Sequence, residues 1–136
     1  MNDFKVEFEV RDNEVDIQGV VNNANYFIYL AHARHKFAQK YGVDFTEYAK
    51  NKQNLFLLST ETVFKNPLRS NDKFYVTCKL INIDSKIKFA FTQEIHLVKN
   101  DTIIAKSINT IACINENISD RRKKFYIPEE IKNLLF

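Results

Sequence analysis

The sequence predicts an α+β domain in which a five-stranded antiparallel sheet wraps around one long central helix. Three observations carry this prediction. The stretch Ala24 to Tyr41 holds an extended apolar pattern at helical spacing. Segments on either side of it alternate apolar and polar residues with a period of two, as half-buried strands do. The later segments are separated by short turns, which fits antiparallel pairing.

A chain of 136 residues is long enough to bury a real core and is expected to make one domain, residues 1–136. Hydrophobic residues are 45% and charged residues 27% of it, an ordinary globular balance. The formal charge of +3 is too mild for a nucleic-acid stripe but compatible with an anionic small molecule. Cys78 and Cys113 lack metal-ligand spacing and sit in strand-like segments, so they are expected to be reduced core residues. The N-terminus shows no apolar leader pattern, and no apolar run reaches the length of a membrane span. A cytoplasmic setting is the expectation. With two Gly and two Pro in the chain, most turns must be made by Asn, Asp and Ser.

In order along the chain, Phe4, Val6, Phe8 and Val10 alternate with charged residues and predict the first strand. Asp12 to Gly19 is a polar connection. Either Asn22 or Asn23 can cap the long helix, because a short side-chain oxygen there accepts an orphan backbone N–H. Within the helix, Tyr26, Leu30, Ala33, Phe37 and Tyr41 form one stripe. Its first half is apolar nearly all round, which predicts burial on every side; its second half gains a polar face with His32 and His35. Gly42 suits the left-handed position after a helix end. Asp44 to Glu47 opens a short second helix.

Strands are then expected over Leu55–Lys65, Lys73–Asp84, a segment carrying Ile87, Phe89, Phe91, Ile95 and Leu97, and Thr102–Asn115. Four consecutive strands predict a meander. After the basic run Arg121 to Lys124, Pro128 starts a terminal helix. One helix cannot cover both faces of such a sheet, so a second subunit is expected on the other face or an edge.

The chemistry concentrates in one stretch. Asp16 is an isolated acid, Gly19 makes a turn, and a helix N-terminus follows at once. There is no nucleophile elbow, no metal-binding His pair and no glycine-rich phosphate loop. No metal or redox cofactor is implied.

The segment Asp16-Ile17-Gln18-Gly19-Val20-Val21-Asn22-Asn23-Ala24-Asn25-Tyr26, followed by Tyr29-Leu30 and Ala33-Arg34, resembles the signature of the 4-hydroxybenzoyl-CoA thioesterase-type acyl-CoA thioesterases. Asn66 to Asp72 is similar to a loop of that family, and Arg122 with Ile127-Pro128 to its closing segment. In two places the chain departs from relatives: Ala31 stands where many carry Glu, and Asn23 where the Tol–Pal-associated branch has His.

The resemblance implies a hotdog fold and hydrolysis of an acyl-CoA thioester to free acid and CoA by a homodimer or homotetramer. Asp16 would act as nucleophile or general base. The Asn23 N–H, at the positive end of the helix, would polarise the carbonyl, and Gly19 would hold the turn. Val21, Asn22 and Tyr26 are candidate substrate contacts, Val21 and Tyr26 for the acyl chain. Arg69, Lys86 and Lys88, with the basic run Arg121 to Lys124, are candidate phosphate contacts. An acyl-carrier-protein thioester is the alternative substrate. A non-catalytic acyl-CoA or carrier-protein binding module on the same fold is the alternative function, and a dehydratase ranks last because the site segment lacks a His.

Overall fold

A computed structural model describes residues 4–135. Met1 to Asp3, part of the segment in which no leader pattern was read, lie outside the described residues, as does Phe136. The elements are β1 (Lys5–Glu9), α1 (Asn23–Lys40), α2 (Phe45–Lys50), β2 (Gln53–Phe64), β3 (Lys73–Thr77), β4 (Lys79–Ile81), β5 (Phe89–Leu97), β6 (Ile103–Asn115), β7 (Phe125–Tyr126) and α3 (Glu129–Leu135).

The sheet is antiparallel and runs β1-β3-β5-β6-β2, with β4 beside β5 and β7 beside β6. β3 and β4 keep one register on β5, Val76 facing Ile95 and Lys79 facing Thr92, so they are one strand interrupted at Cys78. That strand was expected to reach Asp84; it stops at Ile81. Ile87 was expected on the inner face of the next strand, yet β5 begins at Phe89 and Ile87 is exposed.

The meander expectation needs correction. β3, β5 and β6 follow one another as neighbours, but β2 pairs with β6 and not with β3. The reason lies in the loop from Lys65 to Asp72. Leu68 within it is fully buried, and its carbonyl accepts the N–H of Val21 just before α1 (2.8 Å). Burying this leucine beside the helix start carries the chain across the end of α1, from one side of the sheet to the other. The loop that looked like a hairpin turn is a crossover.

Helix α1 packs on the inner face of the sheet along its whole length. Tyr26, Tyr29, Leu30 and Ala33 join Leu68, Phe74, Val76, Ile95 and Ile104 in one apolar cluster. Phe37 and Ala38 join Phe89, Phe91, Ile111 and Ile131 in a second. The helix ends in a Schellman motif: the N–H of Val43 donates to Ala38 O (2.8 Å) and that of Gly42 to Gln39 O (3.4 Å). Gly42 has φ +78, as its position predicts. Cys78 and Cys113 are buried free thiols.

The expectation of all-round burial at the start of α1 is overturned. Phe27 and Ile28 are 40% and 61% exposed. The sheet curls against only one side of the helix, and the apolar residues on its other side face outward. Both faces of the edge strand β2 behave likewise, with Phe56, Leu57, Val63 and Phe64 exposed. Among the described residues no helix is long and apolar enough to cross a membrane.

Turns are made as the shortage of glycine demands: Asn71, Asp84 and Asp101 all take positive φ, which short polar side chains tolerate. Lys52 does so too, at φ 59, just after the end of α2. A Cβ there clashes with the backbone. Lys52→Gly is therefore expected to stabilise the fold by about 1 kcal/mol, the lower end of the cost of the left-handed conformation. A rise in the urea midpoint with unchanged slope would show it; a fall would show that the lysine side chain matters more than its backbone.

Candidate active site

The site is built where three segments meet at the N-terminus of α1. The first is a tight hairpin. Val15 bridges Val21, the Asp16 N–H donates to Val20 O (2.8 Å), and the Gly19 N–H donates to Asp16 O (2.9 Å). Gly19 stands at φ +81. This is a three-residue hairpin closed by a left-handed residue. A side chain at Gly19 would meet nothing within 4 Å, so backbone conformation, not space, selects the glycine.

Inside the hairpin the Asp16 carboxylate is half-buried. Its Oδ1 accepts the N–H of Gln18 (2.8 Å) and, at the edge of bonding distance, that of Val20 (3.5 Å). Among the described residues its Oδ2 has no hydrogen-bond partner. One oxygen holds the turn and the other takes no part in it.

The second segment is the helix start. Asn22 is the cap, its Oδ1 accepting the Ala24 N–H (3.0 Å). The Asn25 N–H donates to Asn22 O (2.9 Å). Asn23 opens the helix, and among the described residues its N–H has no acceptor. The choice left open between two asparagines is thus resolved into two jobs: Asn22 caps, and Asn23 presents a free donor at the positive end of an 18-residue helix.

The third segment is the crossover loop. Leu68 N–H donates to the Tyr26 hydroxyl (3.1 Å), and Arg69 bridges Val20. Arg69 is exposed, and its N–H is held by Asp72 Oδ2 (2.8 Å). Tyr26 is buried, and burial pushes its phenol above the usual range. Its hydroxyl anchors the loop. Tyr26→Phe removes the acceptor and leaves a buried N–H unpaired, so it is expected to cost about 1–3 kcal/mol. Chemical denaturation measures this; a change under about 0.5 kcal/mol would show that another group satisfies Leu68.

Between these segments and the end of β2 lies a cleft of about 260 Å³ lined by Val20, Val21, Asn23, Tyr26, Phe64, Lys65, Asn66 and Pro67. Asp16 stands behind Val20 at its edge and is not part of its wall. Lys65 was not singled out from sequence, because a strand end carries no pattern of its own, and Asn66 was read only as the start of the loop similar to the family's.

Glu14 was also missed. Its carboxylate accepts the N–H of Arg11 (2.9 Å) and the hydroxyl of Tyr29 (2.8 Å). Its carbonyl accepts the N–H of Asn22 (2.9 Å) and the side chain of Asn25 (3.0 Å). It ties the connection to the helix and so aims both hairpin and cap. The spacing of Asn25 and Tyr29, one turn apart with polar tips, is the only hint the sequence offers.

Asp16, Gly19, Val21, Asn22, Asn23, Tyr26 and Arg69 are thus brought together at one end of α1. Lys86 and Lys88 are not. They are exposed in the loop before Phe89, which packs with Phe37 and Ala38 near the opposite end of the helix. Within one chain they are remote from Asp16. No group of His, Cys, Asp and Glu among the described residues could hold a metal ion.

This frame matches known proteins. The family model for the thioesterase-like superfamily matches residues 10–135, and the chain belongs to that superfamily. It is 30% identical over 129 residues to the chloroplastic acyl-acyl carrier protein thioesterase ATL2 of Arabidopsis thaliana, covering 95% of this chain and 66% of that protein. It therefore spans less than two thirds of the plant relative. It is 31% identical over 122 residues to a putative esterase of Aquifex aeolicus, covering 90% of this chain and 89% of that one. The crystal structure of a 1,4-dihydroxy-2-naphthoyl-CoA thioesterase from Synechocystis superposes with a TM-score of 0.84 at 19% identity, over 97% of this chain and 94% of that one. The fold is that of the hotdog thioesterases, as the sequence resemblance implied.

Proposed function

We propose that this chain hydrolyses acyl-CoA thioesters to the free acid and CoA. The observation that carries the reading is the unpaired Asn23 N–H at the start of α1, set beside a hairpin that leaves one oxygen of Asp16 unbound. A thioester carbonyl in the cleft would accept the Asn23 N–H, and the helix dipole would favour the negative charge that gathers on its oxygen. Asp16 Oδ2 then either attacks the carbonyl carbon or takes the proton of an attacking water. The C–S bond breaks and the thiolate leaves. A thiolate is a good leaving group, which fits a site with one acid and no histidine partner.

Arg69 lies on the rim and is a phosphate contact for the CoA portion. Lys86 and Lys88 serve the same purpose only across a subunit boundary. The exposed apolar residues of α1 and β2 favour a second copy against the β2 edge, giving a homodimer or a dimer of dimers. Lys86 and Lys88 of one copy would then face the other's cleft. A carrier-protein thioester fits the same chemistry, and the plant relative is named for that substrate.

A binding module without turnover is the second reading. It is favoured by the use of Asp16 Oδ1 to hold its own turn, as a purely structural aspartate would. Release of free thiol from a panel of acyl-CoA thioesters separates the two: turnover supports the enzyme, and binding without turnover on any of them supports the module. Gel filtration tests the assembly, and a monomer would contradict it.

A further inference from the structure

The two apolar clusters of the core are divided by a polar band. Gln93, Ser107 and Asn109 are the buried polar residues among those described. All three point inward from β5 and β6. Asn109 Nδ2 donates to Gln93 Oε1 (2.9 Å) and Ser107 Oγ (3.0 Å), and Gln93 Nε2 donates to Leu30 O on the helix (3.0 Å). The band is fully bonded and therefore rigid. Arg34 of α1 rests on it, with Nη1 donating to Gln93 Oε1 (3.0 Å).

That guanidinium is partly buried, and burial lowers its pKa. Yet among the described residues no carboxylate pairs with it; the ion pairs found are His96–Glu94 and Lys124–Glu116. The titratable group nearest in effect is the Cys78 thiol, which burial pushes well above its usual range and so keeps neutral. One turn before Arg34, where a helix would offer a pairing acid, stands Ala31. Taking a cation out of water without a counter-charge costs several kcal/mol in general.

Arg34 opens into a cavity of about 280 Å³ whose other walls include Ala31, Leu55, Leu57, Phe91 and Ile111. A chamber with apolar walls apart from Arg34 and His35, and with unused guanidinium N–H donors, suits a greasy ligand that ends in an acceptor. From Asn23 to Arg34 is about 16 Å along the helix. The exposed stripe Ala24, Phe27, Ala31 runs between them beside the edge strand, with the rings of Phe27 and Phe64 6.3 Å apart.

We propose that this cavity is a subsite for the far end of the acyl group, where Arg34 receives a carboxylate or other acceptor oxygen carried away from the thioester. The inference rests on the thioesterase reading in taking the ligand to be an acyl thioester. It makes the enzyme selective for long acyl groups oxygenated at the end remote from sulfur.

The test uses non-hydrolysable thioether analogues of C12 and C16 acyl-CoA, each unsubstituted, ω-hydroxylated or ω-carboxylated, titrated by calorimetry against the full chain. The ω-carboxyl analogue is expected to bind at least about tenfold more tightly than the unsubstituted one of equal length, the least that a hydrogen bond to a charged group contributes. The preference should fall to near unity in Arg34→Met. It should fall likewise in Ala31→Glu, which places an acid three residues before the arginine on the exposed helix face, and survive in the neutral Ala31→Gln. A wild-type ratio of one or less overturns the proposal, as does a preference that persists in both Arg34→Met and Ala31→Glu. Because binding needs no turnover, the two readings fail separately. Hydrolysis without preference sinks this proposal alone, and preference without hydrolysis sinks the enzyme alone.

Discussion

Asp16→Asn is expected to lower kcat/KM for thioester hydrolysis by about 10²–10⁴-fold, the range for loss of a positioned acid–base group. It should leave the melting temperature close to wild type. The asymmetry follows from the two oxygens of the side chain. Asparagine keeps an Oδ1 to accept the N–H groups of Gln18 and Val20, which hold the hairpin, but loses the charge and basicity of the other position. Asp16→Ala loses both, and should add a stability cost of about 1 kcal/mol, as loss of a cap-like side-chain acceptor does elsewhere. Thiol-release kinetics beside thermal melts read the two effects apart. An Asp16→Asn protein that hydrolyses at the wild-type rate would remove Asp16 from the chemistry and leave it a turn residue.

Leu68→Ala is expected to cost about 2–5 kcal/mol, the range for a fully buried leucine that leaves a cavity. It should also lower activity under conditions where the variant is still folded. Leu68 has no exposed surface and packs in the same cluster as Val21, Tyr26 and Tyr29. Its backbone joins Val21 and the Tyr26 hydroxyl. Loosening it frees the crossover loop from both the hairpin and the helix. Urea titration gives the stability change. A cost below about 1 kcal/mol would mean that backbone bonds alone hold the loop, and an intact kcat/KM would uncouple it from the site.

Much of this was legible in advance because it is local. The alternation from Phe4 to Val10, the helical stripe from Tyr26 to Phe37, the cap asparagines and the left-handed Gly42 each need only a few neighbours to interpret. That Asp16, Gly19 and Asn23 lie together was legible for the same reason: one hairpin and one helix start are contiguous in the chain. What was lost depends on contacts between distant residues. β2 has the same pattern whether it lies beside β3 or β6, and only the burial of Leu68 decides. Phe27 and Ile28 look like core because their exposure depends on how far the sheet curls. Gln93, Ser107 and Asn109 sit in strands that alternate correctly, and their band exists only after two strands and the helix meet. Lys86 and Lys88 carry charge suited to phosphate, but a charge does not say which end of the fold it occupies.

The frame of the site is made largely of main chain bonded to main chain: Asn22 to Glu14, Val21 to Leu68, Asp16 to Val20, Val10 to Asp72. Such bonds are made by atoms that every residue carries, and the packing that holds them, Leu68 above all, lies inside the core rather than on the cleft wall. On the proposed function, the geometry that would meet the thioester is therefore insulated from change in the residues that would face the acyl group, such as Phe64 and Lys65 on the cleft or Ala31 and Leu57 in the chamber. On that reading, substitutions there would trade one substrate for another while the reacting end stays in place. A scaffold of this kind separates what is transformed from how, and lets selection revise the first without rebuilding the second.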